Sequence, residues 1–359
     1  MQNILTKEAR TTNLLEHVKR VLDQKPFKPH SLFASGHAQT IVSHLRPRRF
    51  DTRALQRDET RFFDVAEGVR LLARCRWQNP RTNHPTMLLS HGLEGSSDSH
   101  YMIGTAAKAY AAGFNVVRLN LRNCGNTEHL TETLYNSGLS ADIASVAREL
   151  IERDHLTSIF LAGFSLSGNI VLKFAGEQAD KMPPEIRGVC AVSPSIDLSA
   201  CADAIEVGAN RIYQYRFMRS LRRRLRRKQK LYPQLYDTHN IRALRTLRSF
   251  DERYTAPDGG YSGAADYYAR ASALPLIRFI KTPTLIIHAE DDPFIPFRSF
   301  RDPSIASNPY VILLAPPRGG HVGFLSNGGQ HEDQYWAENR AVEFCKLIEE
   351  RVLDLISCH

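Results

Sequence analysis

Ile159-Phe-Leu-Ala-Gly163-Phe-Ser165-Leu-Ser-Gly-Asn169 runs from an apolar strand into a cluster of small residues, and then into a helical pattern carried by Ile170, Val171, Leu172 and Phe174. A serine at such a strand-to-helix turn is held in a strained backbone conformation that pushes its Oγ outward. Its neighbours must be small, or strand and helix collide. The helix start behind it offers unpaired N–H groups and a positive dipole end, both suited to a developing oxyanion. The usual spacing is Gly-x-Ser-x-Gly; here Ser167 takes the fifth position and Gly168 follows it. Ser165 is the candidate nucleophile, and Ser167 is expected to point into the helix.

Outward from this turn the chain alternates. Short apolar runs at 86–90, 114–121, 159–162, 186–192, 284–287 and 311–314 read as strands. Helical patterns lie between them at 101–112 and 141–153, and a long amphipathic one closes the chain at 334–356. Strands alternating with helices imply a mostly parallel central sheet with helices on both faces, an α/β fold. Ahead of it, Leu14, Leu15, Val18 and Leu22 mark a helix that Pro26 stops, and 58–65 with 69–77 read as a hairpin. The expected organisation is an N-terminal extension over 1–50 packed on a core of 51–195 and 281–359. The alternation fails over 196–280, a stretch too long for a connection, which reads as an inserted helical cap.

In open parallel sheets ligands bind beyond the carboxyl ends of the strands, and the unusual residues gather there. The run Leu285-Ile-Ile-His-Ala-Glu-Asp-Asp292-Pro ends a strand in three acids, and its place before Pro293 favours Asp292 over Asp291 and Glu290 as the partner of a histidine. His321 stands in the glycine-flanked loop Gly319-Gly-His-Val-Gly-Phe324 after the final strand; His331 and His359 follow no strand. Ser90-His-Gly-Leu-Glu-Gly-Ser-Ser97 is a turn after a strand that offers a second oxyanion donor, the Leu93 N–H, beside that of Leu166. His91 is expected to be structural. The chain order Ser165, Asp292, His321 differs from the orders of chymotrypsin and subtilisin and matches a nucleophile on a parallel sheet.

Composition narrows the classes. The chain has 359 residues, is 42% hydrophobic and 24% charged, which excludes disordered and low-complexity classes. No apolar run approaches the roughly 20 residues that cross a bilayer, and the start lacks a signal peptide's apolar core. A cytoplasmic location is expected, with a peripheral place at the inner membrane surface as the alternative. Six scattered cysteines form no CxxC, so reduced thiols are expected and no zinc site is visible.

The net charge of +9 has one source. Arg216 to Lys230 holds nine bases and no acid, equal to the chain's whole excess of bases over acids. Phe217, Leu221 and Leu225 recur there every four residues, the spacing of one helical face. The segment reads as a basic amphipathic helix whose apolar stripe packs on the body. Its solvated bases either serve solubility or make a weak contact with anionic membrane or lipid. Nucleic acid is not expected, because no aromatic-rich basic surface accompanies the run.

His91-Gly-Leu-Glu-Gly-Ser-Ser97, Asn120-Leu-Arg-Asn-Cys-Gly125, Gly163-Phe-Ser-Leu-Ser-Gly-Asn169, Asp291-Asp-Pro-Phe294 and Gly319-Gly-His-Val-Gly-Phe324 together resemble the YheT-like branch of the α/β-hydrolases, relatives of ABHD-type esterases and lipases. Phe27-Lys-Pro and Gly36-His-Ala-Gln-Thr-Ile41 are similar to that branch's N-terminal segment, so the resemblance spans about 26–350. It implies an α/β-hydrolase fold and a serine esterase whose triad falls on Ser165, Asp292 and His321. Asn123 stands where the family often has glycine. The expected substrate is a small-molecule ester of short to medium acyl chain, cleaved through an acyl-enzyme without metal or cofactor. An acyltransferase or thioesterase on the same triad, or a non-catalytic membrane-associated binding protein, are the alternatives.

Overall fold

The computed structural model describes residues 7–48, 50, 58–329 and 332–357, with backbone alone at 7–10 and 352–357. His331, His359 and Cys358 lie outside the described residues. Helices α1 (Lys7–Asp23) and α2 (Gly36–Leu45) precede the hairpin β1 (Glu59–Ala66) and β2 (Val69–Arg76). Then come β3 (Thr86–Ser90), α3 (His100–Ala111), β4 (Asn115–Leu119), α4 (Ser140–Glu152), β5 (Ile159–Phe164), α5 (Leu166–Gln178) and β6 (Ile186–Val192). The sheet order is β1-β2-β4-β3-β5-β6, continued by β7 (Thr284–Ile287) and β8 (Val311–Leu314). Strands β3 to β8 run parallel, and β2 pairs antiparallel with both β1 and β4.

The central strands are mostly apolar because both faces are covered. Along β5, Ile159 and Leu161 face one core while Phe160, Ala162 and Phe164 face the other. The first core takes Ile143, Val146 and Leu150 of α4 and Ile170, Val171 and Phe174 of α5. The second takes Leu15, Val18 and Leu22 of α1, Met102 of α3 and Phe344 of the closing helix, Trp336–Ser357. Each fully buried Leu, Ile or Phe contributes roughly 1.5–3 kcal/mol through area removed from water. This double layer holds the carboxyl ends of β3, β5, β7 and β8 on one rim.

Between β6 and β7 lie α6 (Leu198–Ile205), α7 (Arg211–Leu231), short helical turns over 247–258 and α8 (Ala264–Ala271). The basic helix is longer than its charge run because Ile212, Tyr213 and Gln214 extend it toward its start. Met218, Leu221 and Leu225 of α7 form a small core with Leu134 of the body and Phe250. The expected apolar stripe does pack inward, but two of the bases go with it. Arg224 and Lys228 are buried, contrary to the expectation of a fully solvated charge run.

Five cysteines, Cys75, Cys124, Cys190, Cys201 and Cys345, are unpaired. Among the described residues no helix is long and apolar enough to cross a membrane.

Candidate active site

Ser165 closes β5 and opens α5 with φ 54 and ψ −116. Non-glycine residues enter such backbone space only where the surroundings enforce it, at about 1–3 kcal/mol. The enforcing contacts are visible: Ser165 N–H donates to Val192 O at 2.8 Å, and Asn169 N–H donates to Ser165 O at 3.2 Å. Close approach explains the glycines. A Cβ on Gly163 would lie 2.2 Å from Ser167 O, and one on Gly168 would lie 2.8 Å from Pro194 Cβ. Ser167 is accommodated because its hydroxyl turns under the sheet end, donating to His91 O and lying 2.8 Å from Ser90 Oγ. The expectation that it points into the helix is corrected: it ties the turn to β3.

His321 Nε2 lies 2.9 Å from Ser165 Oγ, and His321 Nδ1 lies 2.8 Å from Asp292 Oδ2. The carboxylate can only accept, so the ring proton sits on Nδ1 and Nε2 is left to accept from the serine. Asp292 is buried, and its other oxygen accepts from Phe294 N–H at 3.1 Å and Ile295 N–H at 3.0 Å. Burial works to raise this carboxyl, yet the His321 ring and the N–H donors hold it below the usual range. Asp291 has another task. Its Oδ1 accepts from Gly320 N–H at 2.9 Å, bracing the histidine loop without touching the ring.

That loop is tightly wound. Gly319, Gly320, Val322 and Phe324 all have positive φ, at 151, 62, 54 and 42, and a β-branched residue there is a genuine outlier. Side chains distant in sequence hold it. His321 N–H donates to Thr40 Oγ1 of α2 at 2.8 Å, and Val322 N–H donates to Ser193 Oγ at 3.0 Å. Gln39 Oε1 accepts from Leu325 N–H at 2.6 Å. Sequence reasoning missed Thr40 and Ser193; α2 carried only a family resemblance, and no local pattern marks either residue. Phe294 packs on the His321 ring at 4.1 Å between centroids.

Leu93 and Leu166 line the same cavity as Ser165. A Cβ on Gly92 would come 2.9 Å from Ser165 Cβ, so the Leu93 turn lies directly against the serine. Among the described residues neither N–H, of Leu93 or of Leu166, is engaged by another group of the chain. Glu94, next along the turn, has φ 58 and is fixed from above. Its Oε1 accepts from Arg224 Nε at 2.9 Å and from Tyr135 OH at 2.8 Å, and Ser220 donates to its Oε2. Arg224 also donates to Asn123 O. Asn123 adopts φ 62, a left-handed conformation that asparagine tolerates better than most residues other than glycine.

His91 is buried beneath this turn, where its Nε2 accepts from Leu121 N–H at 3.1 Å. Burial lowers its pKa to about 4, which keeps the ring neutral and able to accept. The cavity above Ser165 has a volume of about 130 Å³ and is walled by Leu134, Leu198, Phe217, Leu221, Leu225 and Phe250. Among the described residues no cluster of three or more His, Cys, Asp or Glu is arranged to hold a metal.

A family model described as the α/β hydrolase fold matches residues 85–327. The chain is 31% identical over 322 residues to YheT of Escherichia coli (strain K12), covering 88% of this chain and 91% of that one. It is 29% identical over 279 residues to a monoacylglycerol lipase of Saccharomyces cerevisiae, covering 75% of this chain and 60% of the yeast protein. The solved structure of the Pyrococcus furiosus esterase Pf2001 matches with a TM-score of 0.55 at 15% identity, over 90% of this chain and 97% of that one, a likeness of fold. A strained serine between β5 and α5, met by a histidine from the loop after β8 on a sheet of this order, agrees with these matches: the chain belongs to the α/β-hydrolase family, in the branch of YheT and the ABHD-type hydrolases.

Proposed function

We propose that the chain is a serine ester hydrolase in which Ser165 attacks the ester carbonyl, His321 takes and returns the proton, and Asp292 orients the imidazole. The observation that carries this reading is the hydrogen-bonded line Ser165 Oγ, His321 Nε2, His321 Nδ1, Asp292 Oδ2, at 2.9 and 2.8 Å. Transfer of the Oγ proton to Nε2 leaves an imidazolium beside a buried carboxylate already held ionised, which lowers the energy of the charge pair as it forms. The tetrahedral oxyanion is placed against the N–H groups of Leu93 and Leu166. Collapse expels the alcohol with the proton from Nε2. Water then repeats the sequence on the acyl-enzyme and frees the acid.

The relatives named as an esterase and as lipases support ester chemistry. The apolar cavity supports a hydrocarbon chain on the acyl or alcohol side. Its volume is near that of the roughly 150 Å³ cavities that admit benzene, which favours short to medium chains. A fluorophosphonate probe should label the wild type and leave Ser165→Ala unlabelled, and p-nitrophenyl esters of increasing length should show an optimum at short to medium chains. Equal labelling of both proteins would remove Ser165 from the mechanism.

A further inference from the structure

Helix α7 has two faces of opposite kind. Inward, Leu221 and Leu225 wall the cavity above Ser165, and Arg224 and Lys228 are buried in hydrogen bonds to the body. Outward, the 3.6-residue repeat places Ile212, Tyr215, Arg219, Arg223, Arg226 and Lys230 in a strip about 80° wide. All six are exposed, Ile212 and Tyr215 by 60% and 62%. Arg219, Arg223, Arg226 and Lys230 have no anionic partner among the described residues, and the helix contains no acid. By contrast Arg227, at the margin of the strip, is paired with Glu128. At the helix end and just beyond it, Leu231 and Leu235 are about half exposed, so apolar side chains stand at both ends of the cationic row.

We infer that this outward strip of α7 is a docking surface for an anionic lipid interface. Unpaired cations in a row attract an anionic leaflet, and exposed Ile212 and Tyr215 gain by entering its acyl boundary. A polyanion such as nucleic acid satisfies the cations but gives Ile212 nothing, and one tyrosine alone is a poor stacking platform for bases. Docked this way, the helix lies flat on the interface with the cavity directly beneath it. An ester leaving the lipid layer therefore has a short path to Ser165. The docking itself does not depend on the esterase reading and is measured without turnover.

The full chain should co-sediment with vesicles containing phosphatidylserine and stay in solution with phosphatidylcholine alone, and binding should fall steeply as salt is raised. Each cation at an anionic leaflet strengthens binding roughly five-fold. The triple variant Arg219→Gln, Arg223→Gln, Arg226→Gln should therefore bind about a hundred-fold more weakly. Its thermal melt and its rate on a water-soluble ester should be unchanged. Ser165→Ala should bind vesicles like the wild type, which separates docking from catalysis. The inference is overturned if wild type ignores anionic vesicles, if the triple variant binds as tightly as wild type, or if an oligonucleotide of equal charge outcompetes the vesicles.

Discussion

The rim of the sheet and the helix α7 lie within a few residues of each other in space, yet their charges behave in opposite ways. On the rim, Ser165, Asp292 and His321 each follow a strand, and a tightly constrained turn sets where the side chain goes. On α7, ten bases stand on one regular helix, and only the partner surface separates those that are buried from those that face out. Arg224 and Arg223 are adjacent in sequence; one is clamped to Glu94, and the other is exposed with no anionic partner among the described residues. Position along an element is therefore a strong guide to function where strain fixes geometry, and a weak one where long-range pairing does.

The sharpest way to break this contrast is at the rim. Asp292→Asn should reduce kcat by about 10⁴-fold, since the amide no longer enforces the tautomer that leaves Nε2 free. Asp291→Asn only slackens the Gly320 contact and should cost about ten-fold or less. A reversed ranking in steady-state kinetics would contradict the assignment.

On α7 the comparison is within a pair. Arg224→Met strands the Glu94 carboxylate in a buried site and should destabilise the fold by about 3–5 kcal/mol in chemical unfolding. Arg223→Gln should stay within about 0.5 kcal/mol of wild type. Loosening Glu94 also frees the Leu93 turn, so whatever activity Arg224→Met retains should show a lowered kcat rather than a raised KM. Similar stabilities for the two variants would mean that the buried pair contributes nothing.

A smaller effect tests the N-terminal brace. Thr40→Val removes the acceptor for His321 N–H and should cost about 1–3 kcal/mol, seen as a lower melting temperature and a lower kcat. No change in either would mean that α2 does not position the loop.

The smallest effect concerns protons. His91 and His288 are both held to a pKa of about 4 by burial. The unfolded chain takes up these protons near pH 6.5 while the folded chain refuses them. Each histidine therefore lowers stability by about 1.4 kcal/mol per pH unit as pH falls from about 6.5 to 4. Asp251, raised to about 6 by burial, opposes this, because the folded state gains its proton first between pH 6 and the ordinary carboxylate range. His288→Gln should flatten the acid side of the stability profile relative to wild type; a steeper acid side would contradict the sign.

Much of the fold was legible because it is local. The strands of the parallel sheet were readable as apolar runs, since burial on both faces leaves no polar alternation to obscure them. The serine, acid and histidine were readable because each follows a strand and is flanked by the glycines or proline that its turn requires. What escaped was held by contacts far apart in the chain. Thr40 meets His321 across 281 positions, and Arg224 meets Glu94 across 130. Neither pairing has a periodicity, and an arginine inside a run of arginines carries no mark of its burial. Ser167 departs from its local pattern for a related reason: its hydroxyl is satisfied at the end of β3, a neighbouring strand rather than its own helix.

The most direct test is to quench the enzyme during turnover of a short p-nitrophenyl ester and weigh the intact protein. The account predicts one acyl group, located by peptide mapping on Ser165, and its accumulation in a variant slowed in deacylation. Full turnover with no adduct, or an adduct on another side chain, would contradict it.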